Sequence, residues 1–134
     1  MTPEQLRERL TAWTVDIAHF ARPLFRTQET RDRARQLKRA ADSAAINYRA
    51  ACIARSHNEF LSKLSIALEE ADEVVGWLEI SKREGAPEGG ELDRLLDEAR
   101  QLTRILAKSR MTAEDTAKRR HGAPAAPPRR KGSQ

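Results

Sequence analysis

Aromatic residues make up only 4% of this 134-residue chain, and cysteine occurs once, at Cys52. One cysteine excludes an intrachain disulfide and a thiolate metal cluster. So few rings leave a core to be built from Leu, Ile, Val and Ala. Apolar and polar residues alternate with period two nowhere over a useful length, so no strands are expected. Gly and Pro, six of each, fall mostly late in the chain. No run approaches the ~18 apolar residues of a membrane span, and no N-terminal apolar stretch resembles a signal peptide. The expectation is a cytoplasmic protein with no membrane partner.

Charge of one sign is scarce in a particular place. The net charge is +5, but residues 1–115 carry 19 Lys and Arg against 20 Asp and Glu. Residues 116–134 carry six basic residues and no acid. The basicity belongs to the C-terminal tail, and a body-wide basic platform for nucleic acid is excluded.

What the chain has in abundance is helix-forming Ala, Arg, Glu and Leu. The most informative stretch is residues 56–84. Phe60, Leu64, Ala67, Ala71, Val74 and Leu78 recur at spacings of four and three, one stripe of an α-helix. Leu61, Leu68 and Val75 form a second stripe, with Ile66, Trp77 and Ile80 widening the apolar surface. A surface helix needs only about 100° of apolar face. This one has more, so neighbours are expected on at least two sides.

Three further helices follow from the same spacing. The first begins near Pro3 and Glu4, carries Leu6, Leu10, Trp13, Ile17 and Phe20, and ends or kinks near Arg22 because of Pro23. The second follows Thr27, a candidate N-cap, and buries Leu37, Ala41, Ala44, Tyr48 and Ala51, with Ala40, Ala45, Ile46 and Cys52 alongside. Ser56-His57-Asn58-Glu59 reads as a capping box, although one helix running through this junction is the alternative. A loop follows through residues 85–90, then a helix with Leu92, Leu95, Ala99, Leu102 and Leu106 on one face. The expected fold is all-α, an antiparallel up-and-down four-helix bundle over residues 1–112. A disordered Pro- and Arg-rich tail is expected over residues 113–134.

Residues 22–55 hold nine basic residues and three acids, and residues 56–84 hold seven acids and three basic residues. Opposite signs on two antiparallel helices would steer register, within a subunit or between subunits. Ordinary solvated faces are the plain alternative.

Gln36-Leu37, Arg39-Ala40-Ala41, Ser43, Asn47, Arg55-Ser56, Glu59-Phe60, Ala67, Glu70 and Glu73 together resemble a four-helix-bundle family. Its founding members are encoded in intervening sequences of bacterial 23S ribosomal RNA genes. The resemblance spans about residues 6–108. Other members have Ala-Glu-Gly where this chain has Arg49-Ala50-Ala51, so any role of that Glu and Gly does not carry over. The resemblance implies a protomer that assembles into a ring, commonly a homopentamer. A similar bundle, the accessory protein of diversity-generating retroelements, works with a reverse transcriptase and binds nucleic acid. That implies self-association and a partnership with RNA or a nucleic-acid-processing protein.

Chemistry is thin. Asp16-x-x-His19 has the spacing of half a di-iron site, but the second motif is missing. Glu69-Glu70-Ala71-Asp72-Glu73 is better read as a solvated acidic face, or a partner for the basic helix, than as a cation site. His57 is expected to be exposed and Cys52 to be a small core residue. No nucleophile–base pair, phosphate loop or zinc spacing occurs. The reading is a non-enzyme with no cofactor, metal or small-molecule substrate. Candidate interface residues are Arg39, Ser43, Asn47, Arg49, Arg55, Leu61, Leu68 and Val75. Pairing of Arg39 with Glu70 and Glu73 inside the subunit is the competing role, as is an RNA-facing surface for the arginines. Candidate nucleic-acid-binding residues are Lys118, Arg119, Arg120, Arg129, Arg130 and Lys131.

Overall fold

The computed structural model describes residues 1–85 and 90–121. Four helices carry the described chain: α1 (Pro3–Ala21), α2 (Gln28–Cys52), α3 (His57–Arg83) and α4 (Glu91–His121). A short 3-10 turn, Arg22–Arg26, joins α1 to α2. Each helix packs on its neighbours in sequence, and α1 also touches α4, so the four close around one core with α1 diagonal to α3. This is the up-and-down bundle expected from the periodicity. No strand occurs among the described residues.

The boundaries have local causes. Thr2 accepts a hydrogen bond from the Gln5 backbone N–H, and the Gln5 side chain accepts from the Thr2 backbone N–H, a full capping box. Pro23 falls just past α1, where its missing N–H and fixed φ turn the chain. Thr27 caps α2 and Ser56 caps α3, each through its side-chain oxygen. A turn separates α2 from α3, which rules out one continuous helix. Of the capping box at Ser56, the hydroxyl half forms, at 3.0 Å from the Glu59 N–H. Gly85 follows α3 at φ 79°, a left-handed step in which glycine lacks the Cβ penalty. Residues 86–89, the rest of the expected loop, lie outside the described residues.

The core holds Leu10, Trp13 and Ile17 from α1, Leu64 and Leu78 from α3, and Leu95, Leu102 and Leu106 from α4. Helix α2 contributes chiefly alanines: Ala34, Ala40, Ala41 and Ala44 are all at 0% exposure. A face without bulk lets the neighbouring backbones approach closely, and the Thr14 hydroxyl lies 3.3 Å from the Ala41 carbonyl. Helix α4 runs nine residues past the expected boundary at 112, with Ala113 buried at 6% exposure. Residues 113–121 are therefore helix, and the remainder of the expected tail, 122–134, lies outside the described residues.

Candidate self-association face and basic helix end

Helix α2 has two faces of opposite character. Its inner side is the alanine surface just described. Seven residues advance a helix by nearly two full turns, which aligns Arg39 and Ile46 on the other side, and Ile53 is the C-cap just past Cys52. Ile46 is 63% exposed and Ile53 is 74% exposed. The sequence pattern placed Ile46 beside the core; the structure turns it outward, because Ala44 and Tyr48 occupy the inward positions on either side of it. Arg35 and Arg49 are also exposed on this helix.

Among the sequence candidates, Arg39 is engaged within the subunit. Its guanidinium donates to both carboxylate oxygens of Glu70, at 3.1 and 3.2 Å, and to Glu73 at 2.8 Å. These hydrogen bonds hold the Arg39 pKa above its ordinary value. Burial pushes the Glu73 carboxyl up, but hydrogen bonds from the Trp77 indole and from Arg39 outweigh it, and the net shift is downward. Arg33 on α2 also pairs with Glu84 just past α3. The opposite charges of the two helices thus meet inside one protomer. Ser43 and Asn47 do not reach across a helix boundary: the Asn47 amide donates to the Ser43 carbonyl at 2.9 Å and its hydroxyl at 3.1 Å, within α2. Arg55 sits exposed in the turn.

Leu61, Leu68 and Val75 are half-buried, and the last two pack against the core. Glu79, one turn beyond Val75, pairs with Arg100 of α4 at 2.8 Å. That side of α3 therefore borders α4.

The acidic run of α3 splits by helical geometry. Glu70 and Glu73 turn to Arg39, while Glu69 and Asp72 are exposed. Among the described residues, no group of three or more His, Cys, Asp or Glu side chains is placed to hold a metal ion. Asp16 lies 3.5 Å from Arg94, and His19 is exposed. Cys52 is half-buried beside Tyr48, whose hydroxyl is pushed up to about 12, chiefly by burial and then by Cys52. No helix among the described residues is long and apolar enough to cross a membrane.

At the other end of the chain, Lys118, Arg119 and Arg120 project exposed from the last turns of α4. Arg129, Arg130 and Lys131 lie outside the described residues. The α4 extension is held by His57, a residue the sequence pattern placed in solvent. His57 is half-buried, its Nε2 donates to the Ala113 carbonyl at 2.9 Å, and its ring lies 6.3 Å from that of Phe60. Only a long-range contact explains this, which is why the local pattern around Ser56 gave no sign of it.

The arrangement defines an all-α up-and-down bundle with an outward apolar strip on α2 and a basic end on α4. The chain belongs to the 23S rRNA-intervening sequence protein family, whose model matches residues 9–108. The match ends before the basic helix end. The fold is similar to that of a protein with unknown function from the S23 ribosomal protein family of Bacteroides thetaiotaomicron. That structure superposes with a TM-score of 0.75 at 24% identity, covering 83% of this chain and 99% of the other. No curated protein matches the chain.

Proposed function

We propose that the protein is a non-catalytic homo-oligomeric bundle, a pentamer, acting as a scaffold for RNA or for a protein that works on nucleic acid. The observation that supports this best is the mostly exposed pair Ile46, on the outward face of α2, and Ile53, at its C-cap. Burying an isoleucine fully contributes about 1.5–3 kcal/mol, so covering both favours association. The number five follows the ring that the family resemblance implies. Light scattering on a sizing column tests the reading: an assembly is expected at micromolar concentration, and a monomer there ends it.

A second reading, direct and non-specific nucleic-acid binding, is favoured by the exposed cluster Lys118, Arg119 and Arg120. With Arg129, Arg130 and Lys131 the segment has six charges and no aromatic to stack bases. Six phosphate contacts give a salt slope of roughly −4 on single strands. RNA affinity across a salt series, for the whole chain and for a chain ending at Ala117, separates the readings. Equal slopes remove the basic end from the account.

A further inference from the structure

All four helices contribute to one cleft at an end of the bundle, with a volume of about 570 Å³. The first turns of α1 supply Glu4 and Arg7, the last turns of α2 supply Tyr48 and Cys52, and Phe60 of α3 and Ser109 of α4 complete the wall. Pockets for small molecules run from about 300 to 1,000 Å³ and set a few polar groups in apolar surroundings. Two polar groups here lack the partners that buried groups normally have. Tyr48 is 6% exposed, and among the described residues no nitrogen or oxygen hydrogen-bonds its hydroxyl. Its polar neighbour is the Cys52 thiol, a weak donor and acceptor. Nor is the phenol oxygen sealed in the core, where Trp13 Nε1 is the one unpartnered side-chain atom among the described residues. It opens on the cleft instead. Arg7 is half-buried and, among the described residues, has no ion pair, whereas Arg9 two residues on is held by Glu98 and Gln101.

A guanidinium fork beside a hydroxyl donor suits a carboxylate, which accepts two hydrogen bonds from arginine and has lone pairs left for a third. The Tyr48 hydroxyl, pushed up to about 12, keeps its proton at neutral pH and is available to donate. Glu4 stands exposed at the rim, where it repels a dianion more than a monoanion and so favours a carboxylate over a phosphate. Ala51, Ala54 and Phe60 offer apolar surface for a short hydrocarbon body. We propose that this cleft binds a small organic acid, with its carboxylate held by Arg7 and Tyr48 and its apolar body lying against Phe60, Ala51 and Ala54. The site is independent of the self-association and nucleic-acid readings. Because its walls come from all four helices, a bound acid favours the closed bundle over the unfolded chain and raises Tm.

Phenylacetate serves as the probe, on the full chain. It should shift the Ala51 and Ala54 methyl resonances saturably. It should also slow the alkylation of Cys52, the chain's single cysteine, by iodoacetamide several-fold. Arg7→Gln and Tyr48→Phe should each weaken the probe about tenfold while the helical circular dichroism is retained. Two further compounds on the wild-type chain keep the test independent of how the variants fold. 2-Phenylethanol, of similar body but uncharged, and phenyl phosphate, a dianion, should each bind about tenfold more weakly than phenylacetate. No saturable shift at Ala51 or Ala54 up to tens of millimolar overturns the site. Binding of 2-phenylethanol as tight as that of phenylacetate, or phenylacetate binding that survives both substitutions, overturns the carboxylate assignment. Tighter binding of phenyl phosphate overturns the choice of a singly charged ligand.

Discussion

Replacing Ala44 with leucine puts the architecture at risk at one atom position. Ala44 is fully buried at the centre of the α2 face, with Leu37, Ala40, Ala41 and Tyr48 of the same helix in the core around it. Leucine adds three carbons where facing backbones already approach closely. Overpacking of this kind costs about 1–3 kcal/mol. For a domain of this size, that lowers Tm by roughly 5–15 °C. Ile46, two residues on and 63% exposed, is the control: Ile46→Ala should move stability by no more than about 0.5 kcal/mol. Thermal and urea unfolding followed by circular dichroism, at a dilution where the chain is a protomer, reads both. A neutral Ala44→Leu, or an Ile46→Ala as damaging, would mean that the inward and outward faces of α2 have been assigned wrongly.

Two other outcomes follow from the side-chain network. His57→Ala removes the hydrogen bond to the Ala113 carbonyl, so amide exchange in residues 113–121 should quicken several-fold with the rest of α4 unchanged; uniform protection would deny the clasp. Arg39→Ala should cost about 1 kcal/mol at neutral pH, because the Arg39 side chain is 49% exposed and solvent screens its pairs, although Glu70 is only 17% exposed. The Glu73 carboxyl is depressed in the folded state, so its contribution is present above its ordinary 4.5 and fades as the pH falls through the lower folded value. The stability gap between wild type and Arg39→Ala should therefore narrow in acid; a gap that widens there contradicts the assignment.

Much of the bundle was legible because its helices are long and their buried stripes regular. Leu64, Ala67, Ala71, Val74 and Leu78 all lie in the core, and Pro23, Thr27 and Ser56 mark ends through purely local chemistry. The pattern fails where two faces of one helix share a composition. Ile46 and Ala45 look alike as neighbours of an alanine stripe, and only the packing of Tyr48 and Ala44 decides that Ile46 points away. Leu61, Leu68 and Val75 read as a second apolar stripe, and Leu68 and Val75 of it pack against the core. The end of α4 was misjudged for a related reason. Its apolar spacing fades after Met111, but Ala113 and the reach of His57 hold the helix on through long-range contacts that local periodicity cannot carry.

The central claim is that another copy of the chain covers the outward face of α2. Hydroxyl-radical footprinting of Ile46 and Ile53, read residue by residue at micromolar concentration and again on dilution, tests it directly. The account predicts that both isoleucines are oxidised several-fold more slowly in the concentrated sample and regain reactivity as it is diluted. Oxidation at one undiminished rate at every concentration, as their 63% and 74% exposure in the protomer would give, contradicts it.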